Sequence, residues 1–378
     1  MSRRVRWREL VDDPAPTVAD RVALAGLTAA SWIYRGLLEL DRTRHRLAGP
    51  WTPPVPSLTV GNVTVGGTGK TTLVRHLARR VLARGVRPGI VLRGYGRTDP
   101  SSTRVVHDGQ RLLEGPESAG DEAVMLAEGL EGAVVVVGPS RRRSTELAIG
   151  EPGARALLFD DGLQHWALAA HRTVALWDAT VHPHQARLLP RGVLREPVHE
   201  LTRFDRVILT RWEAAENPAE VAAALAELRG GEPVPVARHE PVALLSADGA
   251  RRALAELEGV DVFAFSSLGN PRALRTTLEA LGARVIGERV FPDHHAYSRG
   301  DLDQIRTQAR NLSTDRIVTT EKDYVKVRAL DPRGMDAIEV DFGPVAGAES
   351  VELAMDGLVD FLCEGEVTAG GREEAQER

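Results

Sequence analysis

The sequence of 378 residues predicts an α/β fold, in which a mainly parallel sheet carries helices on both faces. Two observations predict this class. Short apolar strands alternate with helical patterns along the middle of the chain, and one early strand runs directly into a Gly-rich loop and an amphipathic helix. The same alternation resumes after a Pro-rich stretch near residue 235. The sequence therefore predicts a second, smaller α/β domain there.

The segment before the first strand is both basic and apolar. Residues 22–34 carry no charge, and arginines flank them on both sides. The uncharged run is shorter than the roughly 20 apolar residues that cross a bilayer. It fits a helix lying in a membrane interface, with Trp32 and Tyr34 near the headgroups and arginines facing anionic lipid. An ordinary amphipathic helix packed on the protein fits the residues equally well.

Residues 61–72 read Gly-Asn-Val-Thr-Val-Gly-Gly-Thr-Gly-Lys-Thr-Thr, between an apolar strand and a helix. Glycines let the backbone N–H groups point inward at phosphate oxygens, and the helix N-terminus adds positive charge. Lys70 would reach the β/γ-phosphates and Thr71 would place a hydroxyl on Mg²⁺. A P-loop NTPase-like nucleotide site is therefore predicted at Thr64, Val65, Gly66, Gly67, Thr68, Gly69, Lys70 and Thr71. Thr64 replaces the first Gly of the strict pattern, and the alternative is a Gly-rich turn that only caps a helix.

The elements that follow support the parallel sheet. Apolar runs predict strands at residues 89–92, 133–137, 156–159, 173–177 and 206–209, with helices at 121–128 and 141–149 between them. The second domain is predicted to contain strands at 262–265, 284–291 and 316–319 and helices at 271–281 and 299–311.

Polar residues follow several of these strands, at the edge where α/β sheets place ligands. Asp160 and Asp161 end one strand, and such a carboxylate usually holds Mg²⁺ beside a phosphate loop. Asp121 follows a Gly/Pro-rich loop, where it could also simply favour a helix N-terminus. Asp293, His294 and His295 follow another strand and fit proton transfer from a hydroxyl better than a zinc site, since no further ligand pattern surrounds them.

Together these motifs resemble the tetraacyldisaccharide 4′-kinase family, the lipid A 4′-kinases. The matching segments occur in family order and are residues 61–71, 93–97 (Arg-Gly-Tyr-Gly-Arg), 120–122 (Gly-Asp-Glu), 160–165 (Asp-Asp-Gly-Leu-Gln-His), 189–197, 265–271, 293–295 and 319–323 (Thr-Thr-Glu-Lys-Asp).

The resemblance implies a monotopic enzyme on the cytoplasmic face of the inner membrane of a Gram-negative-type bacterium. It would use ATP and Mg²⁺ to phosphorylate the 4′-hydroxyl of a tetraacylated glucosamine disaccharide 1-phosphate, forming lipid IVA. The implied catalytic residues are Asp121 and His294 as a dyad, with Lys70, Asp160 and Asp161. Thr71, Asp160 and Asp161 are the implied metal ligands.

The resemblance also implies residues that contact the adenine and the lipid. The segment containing Glu321, Lys322 and Asp323 is implied to lie by the base. The implied lipid-substrate residues, all within the matching segments, are Asn62, Arg93, Tyr95, Arg97, Gln164, His165 and Arg195.

We predict four segments: a basic segment and interfacial membrane helix at 1–50, a P-loop kinase domain at 51–235, a second α/β domain at 236–364 and a disordered tail at 365–378. The net charge of −5 argues against a nucleic-acid partner, and Cys363, the single cysteine, excludes a disulfide framework. No obligate protein partner is evident. The rival interpretations are a switch or partitioning-type ATPase at the membrane without a lipid acceptor, and a GTPase.

Overall fold

A computed structural model of the chain describes residues 17–268, 272–292, 295–345 and 351–365. The predictions made for the N-terminal arginines, Asp293, His294 and the tail after residue 365 fall outside this part of the chain. The predicted boundaries at residues 50, 235 and 364 stay predictions.

The described residues contain a helix at each predicted position, together with four helices that the sequence analysis did not predict, at Pro116–Ala119, Pro218–Leu228, Glu321–Arg328 and Val351–Glu364. In chain order the helices are α1 (Val18–Ala48), α2 (Lys70–Ala83), α3 (Pro116–Ala119), α4 (Asp121–Glu128), α5 (Arg141–Ile149), α6 (Pro218–Leu228), α7 (Ala273–Ala280), α8 (Arg299–Asn311), α9 (Glu321–Arg328) and α10 (Val351–Glu364).

Strands at every predicted position are confirmed, together with others that the sequence did not predict. They are β1 (Ser57–Asn62), β2 (Pro88–Leu92), β3 (Arg104–Asp108), β4 (Val134–Val137), β5 (Ala156–Asp160), β6 (Arg172–Asp178), β7 (Arg206–Thr210), β8 (Ala237–Leu245), β9 (Arg251–Arg252), β10 (Asp261–Ser266), β11 (Arg284–Val290), β12 (Ile317–Thr320) and β13 (Met335–Pro344). The predicted fold class, mainly parallel sheet with helices, is confirmed.

The chain forms two compact units. The first contains the described residues of Met1–Lys70, Ala156–Arg238 and Pro344–Arg378. Its strands lie in the order β5-β1-β6-β7, and each adjacent pair is parallel. Every residue of β1 and β5 is buried, as expected for parallel strands covered on both faces. Asn62 and Asp160 therefore end neighbouring strands at the same edge of the sheet.

The second unit is Thr71–Arg155 with His239–Gly343. In it β2 pairs in parallel with β4, and β3 runs antiparallel to β4. A second sheet has the order β11-β10-β12-β13-β8-β9. Apolar side chains fill both of its faces, with Phe263, Phe265 and Ile305 in one cluster and Val262, Leu278 and Val318 in another.

Helix α1 begins at a capping box, in which Thr17 and Asp20 bond each other's backbone N–H groups. One side of the helix rests on the first unit and contains Ser31, which is buried. The other side exposes large apolar side chains, namely Val22, Trp32, Ile33, Leu37, Leu40 and Leu47. Across the described ranges, no helix combines the length and apolar character needed to cross a membrane.

Candidate active site

The Gly-rich loop between β1 and α2 has the backbone shape that a phosphate cradle requires. Gly66 and Gly69 have φ angles of 133° and 88°, which favour glycine. The Thr68 hydroxyl is buried and meets no hydrogen-bond partner among the described residues. A buried donor without a partner is costly, and phosphate oxygens at the loop would satisfy it.

Asn62 braces this loop from the end of β1. Its side-chain amide donates to the carbonyl oxygens of Thr64 and, over 3.3 Å, of Gly66. Its Oδ1 accepts a hydrogen bond of 3.0 Å from Lys70 Nζ. Asn62, implied as a lipid-substrate residue, therefore shapes the phosphate loop and orients its lysine.

The aspartates after β5 differ in their surroundings. Asp160 is buried, whereas the Asp161 side chain is 42% exposed and has a left-handed backbone with φ of 51°. Asp161 Oδ1 lies 3.6 Å from Lys70 Nζ and 3.0 Å from an Arg195 guanidinium nitrogen. Lys70, Asp161 and Arg195 thus form a continuous row of alternating charge in the first unit.

Gln164 joins this row to the sheet edge. Its Nε2 donates to the Asn62 carbonyl over 3.2 Å and to Glu196 Oε1 over 2.6 Å, and its Oε1 accepts from Arg195 over 3.3 Å. The buried Glu196 also accepts a 2.6 Å hydrogen bond from Arg203. His165 follows in the same turn, and its backbone N–H donates to the Gly162 carbonyl. The structure therefore brings together Asn62, Lys70, Asp161, Gln164 and Arg195.

The two carboxylates at the end of β5 suit a magnesium ion. Mg²⁺ is usually held by one or two carboxylates together with phosphate and water. Asp160 is the last residue of β5 and Asp161 follows it, so both supply carboxylates at this end of the strand. Within the described ranges, no cluster of three or more His, Cys, Asp or Glu side chains could hold a metal by itself. The donor chemistry thus fits a Mg²⁺ that arrives with a nucleotide.

A second group of predicted residues lies in the second unit, around Asp121 at the start of α4. The carboxylate of Asp121 lies 3.3 Å from Lys326 Nζ, and the Lys326 side chain is only 9% exposed. Lys326 also lies 3.6 Å from the fully buried Asp323 and donates to the His295 carbonyl over 3.2 Å. His294, the predicted partner of Asp121, lies outside the described residues. The sequence analysis did not predict a role for Lys326. Its position three residues after Asp323 could have indicated that the two side chains lie on the same face of a helix.

Two carboxylates of the implied adenine segment are engaged inside the protein. Asp323 accepts hydrogen bonds of 2.8 Å from the Ser267 N–H and from the Thr320 hydroxyl. Glu321 pairs with Arg75 of α2, and burial raises the pKa of the Glu321 carboxyl. Lys322 lies 3.9 Å from Glu122. The contacts of Glu321 and Asp323 fix the backbone of segment 320–323. The Lys322 ammonium is partly exposed.

The loop after β2 contains the remaining implied lipid-substrate residues. Arg93 is exposed, and Tyr95 is 77% exposed. Arg97 is buried and donates to the Pro100 carbonyl over 2.7 Å, and burial lowers the pKa of its guanidinium. Arg97 therefore supports the loop from within, whereas Arg93 and Tyr95 face outward.

Comparison with known proteins gives consistent matches over most of the chain. The family described as "LpxK: Tetraacyldisaccharide-1-P 4'-kinase" matches residues 23–355. A tetraacyldisaccharide 4′-kinase of Anaeromyxobacter sp. (strain Fw109-5) is 41% identical, covering 90% of both chains. One from Syntrophus aciditrophicus is 37% identical, covering 94% of this chain and 99% of that relative.

A solved structure is also similar in fold. It is a crystal structure of LpxK from Aquifex aeolicus in complex with ATP, with a TM-score of 0.72 and 27% identity. The match covers 90% of this chain and 99% of that chain.

Proposed function

The chain belongs to the tetraacyldisaccharide-1-P 4′-kinase family and is a kinase, and on this premise we propose its substrates and the roles of its residues. It transfers the γ-phosphate of ATP to the 4′-hydroxyl of a tetraacylated glucosamine disaccharide 1-phosphate and forms lipid IVA. The observation that supports this most directly is the row of Lys70, Asp161 and Arg195 beside a phosphate loop.

The first unit binds and neutralises the phosphates. Backbone N–H groups of residues 64–69 cradle the phosphate oxygens, and Lys70 offsets the charge that develops on the β/γ-phosphates. Asp160 and Asp161 of this unit, with Thr71, would hold Mg²⁺, which would supply further charge neutralisation. Asn62 holds Lys70 in its working position through the 3.0 Å hydrogen bond.

Arg195 is an ion-pair partner of Asp161 within the first unit. A guanidinium cannot lose its proton at physiological pH, so it can release the carboxylate only by moving. We infer that Arg195 turns from Asp161 toward an anionic group of the bound substrates, in keeping with its implied place among the lipid-substrate residues Gln164 and His165.

The second unit supplies the proton acceptor. Asp121 and His294 act as a dyad that accepts the proton of the attacking 4′-hydroxyl. Lys326 is a positioning residue for Asp121, because its ammonium is nearly enclosed and reaches Asp121, Asp323 and the His295 carbonyl together. The segment 320–323 lies by the adenine, with Lys322 flanking the base and Glu321 and Asp323 fixing the backbone. Arg93 and Tyr95 contact the lipid headgroup, and Arg97 supports their loop.

Helix α1 places the protein on the bilayer, where the acyl chains of the acceptor remain. Trp32, Ile33 and Leu37 are each more than 60% exposed on one side of the helix. A helix of this kind lies in the interface with its apolar side toward the acyl chains, and nearby arginines attract anionic lipid. We propose that this helix holds the protein as a monotopic enzyme on the cytoplasmic face of the inner membrane. Tyr34, predicted to lie with Trp32 at the headgroups, instead turns its hydroxyl to the Arg195 carbonyl.

The test is an incubation of the full chain with γ-labelled ATP, Mg²⁺ and the disaccharide 1-phosphate lipid in detergent micelles, followed by chromatography of the lipid. We expect label in the lipid. Lys70→Ala should reduce that rate about 100-fold or more, because the charge on the breaking bond is no longer neutralised.

Nucleotide hydrolysis with no labelled lipid would instead favour the rival membrane ATPase. Near-normal transfer by Lys70→Ala would exclude the loop lysine from the mechanism.

A further inference from the structure

Residues 188–195 lie between helix α1 and the phosphate loop within the first unit. We call them the strap. Their backbone contacts the helix on one side and the loop on the other, although the three segments are far apart in sequence.

Two hydroxyl groups of α1 hold the strap. Ser31 is buried, and its Oγ accepts from the Arg191 N–H over 3.1 Å. The one hydroxyl proton is shared between the Leu188 carbonyl at 3.1 Å and the Leu27 carbonyl of α1 at 3.0 Å. Tyr34 Oη donates to the Arg195 carbonyl over 2.8 Å. Burial, followed by the negative charge of Glu196, raises the pKa of Tyr34, so the phenol stays a donor at any physiological pH.

The other side of the strap joins the phosphate loop. The Val65 N–H donates to the Val193 carbonyl over 2.8 Å, and the Arg195 N–H donates to the Val63 carbonyl over 2.7 Å. Between these bonds, Thr64 and Leu194 form an antiparallel bridge. The strap is therefore a short strand-like partner of the loop's first residues.

The strap ends at Arg195, which contacts Asp161, one of the two proposed magnesium ligands. The backbone of Arg195 makes two hydrogen bonds: its carbonyl accepts from the Tyr34 hydroxyl, and its N–H donates to the Val63 carbonyl. Its guanidinium donates to both carboxylate oxygens of Asp161, at 3.0 and 3.2 Å. Because hydrogen bonds on both sides fix the Arg195 backbone, they also fix the position from which its side chain extends to Asp161.

We propose that α1 is a structural part of the phosphate-transfer site as well as a surface for lipid, and that Tyr34 and Ser31 are positioning residues for Arg195 and the phosphate loop. The proposal rests on the proposed function. It follows that the polar side of α1 determines turnover while its apolar side determines membrane binding, so the two properties are separable by substitution.

Tyr34→Phe keeps the ring and removes the hydrogen bond to the Arg195 carbonyl. Ser31→Ala removes the hydrogen bonds of the Ser31 hydroxyl to residues 188 and 191. Each should lower kcat for lipid phosphorylation about 3- to 10-fold, as expected for the loss of one neutral hydrogen bond at a precise site. The KM for ATP and sedimentation with anionic vesicles should stay close to wild type, and a thermal melt should show that both variants are folded at the assay temperature. Thr28→Ala is the matched control, because the Thr28 hydroxyl donates to the Leu24 carbonyl of the same helix.

Hydrogen exchange gives a readout that does not need turnover. In Tyr34→Phe the amides of Leu194 and Arg195 should exchange several-fold faster than in the wild type and in Thr28→Ala.

Unchanged kcat and unchanged exchange in both Tyr34→Phe and Ser31→Ala, with a wild type that phosphorylates lipid, would overturn this inference alone. A loss of vesicle binding that accounts for the loss of rate would overturn it too. A wild-type chain that transfers no phosphate would overturn the proposed function, whatever the exchange data show.

Discussion

Replacing Lys326 by Met tests whether this nearly enclosed cation acts through Asp121. The two charges lie 3.3 Å apart, which corresponds to about 5 kcal/mol at an effective dielectric constant of 20. A fully exposed pair would be worth at most about 1 kcal/mol. The side chains are 9% and 22% exposed, so the value for this pair lies between these limits, at about 2–3 kcal/mol. That energy holds Asp121 in one place, and its loss should lower kcat by roughly 30- to 150-fold.

The assay is a double-mutant cycle on kcat for lipid phosphorylation, with Lys326→Met, Asp121→Asn and the double variant. If Lys326 works only through Asp121, the double variant loses little beyond Asp121→Asn. Arg328→Met is the control, because Arg328 also links α9 to α4, through an ion pair with Glu128. Asp323 keeps its hydrogen bonds from Ser267 and Thr320 in Lys326→Met, and a thermal melt checks that the unit remains folded.

Two outcomes would refute this reasoning. One is wild-type turnover in Lys326→Met. The other is a double variant whose loss equals the product of the two single losses, since independent groups behave in that way.

Two further predictions concern the base and the membrane. ATP should be preferred over GTP by about tenfold or more in competition, because a site that hydrogen-bonds one base leaves its polar groups unpaired when another base binds. Equal use of the two nucleotides would mean that segment 320–323 does not recognise the base. Ile33→Asp with Leu37→Asp should weaken sedimentation with anionic vesicles at least about tenfold, because each apolar side chain contributes about 1.5–3 kcal/mol on burial. Leu353→Asp, at a residue 69% exposed on α10, is the control for that experiment, and equal effects of the two changes would mean that α1 is not the membrane surface.

Local sequence signals predicted the parts of the fold that depend on neighbouring residues. The boundaries of α4, α5 and α8 agree with the predicted ranges at both ends, because apolar spacing is a local feature. Ser140 and Ser298, which the prediction did not use, cap α5 and α8. A rule about strand ends predicted that Asp160 and Asp161 lie at the same sheet edge as the phosphate loop, and β1 and β5 are parallel neighbours.

The contacts that the sequence could not predict join distant residues. Tyr34 and Arg195 are 161 positions apart, and an amphipathic pattern does not tell which polar group on a helix meets another segment. The strand β13 contains the acidic residues Asp336, Glu339 and Asp341 among its apolar ones, and only the fold provides the arginines with which they pair. Glu321 was assigned to the adenine by resemblance, and its partner Arg75 lies on another helix.

The order in which the chain is synthesised matters for the first unit, because α10 belongs to it. Val351, Met355 and Val359 of α10 are fully buried, and Arg172 on β6 stacks on Phe361 at 4.4 Å. This unit therefore cannot complete its core until the ribosome has passed residue 364, long after α1 has emerged. Until then the core on which α1 rests is incomplete, and a bilayer is an available partner for the apolar side of this segment. The nascent chain can thus reach the lipid surface before its catalytic unit has closed.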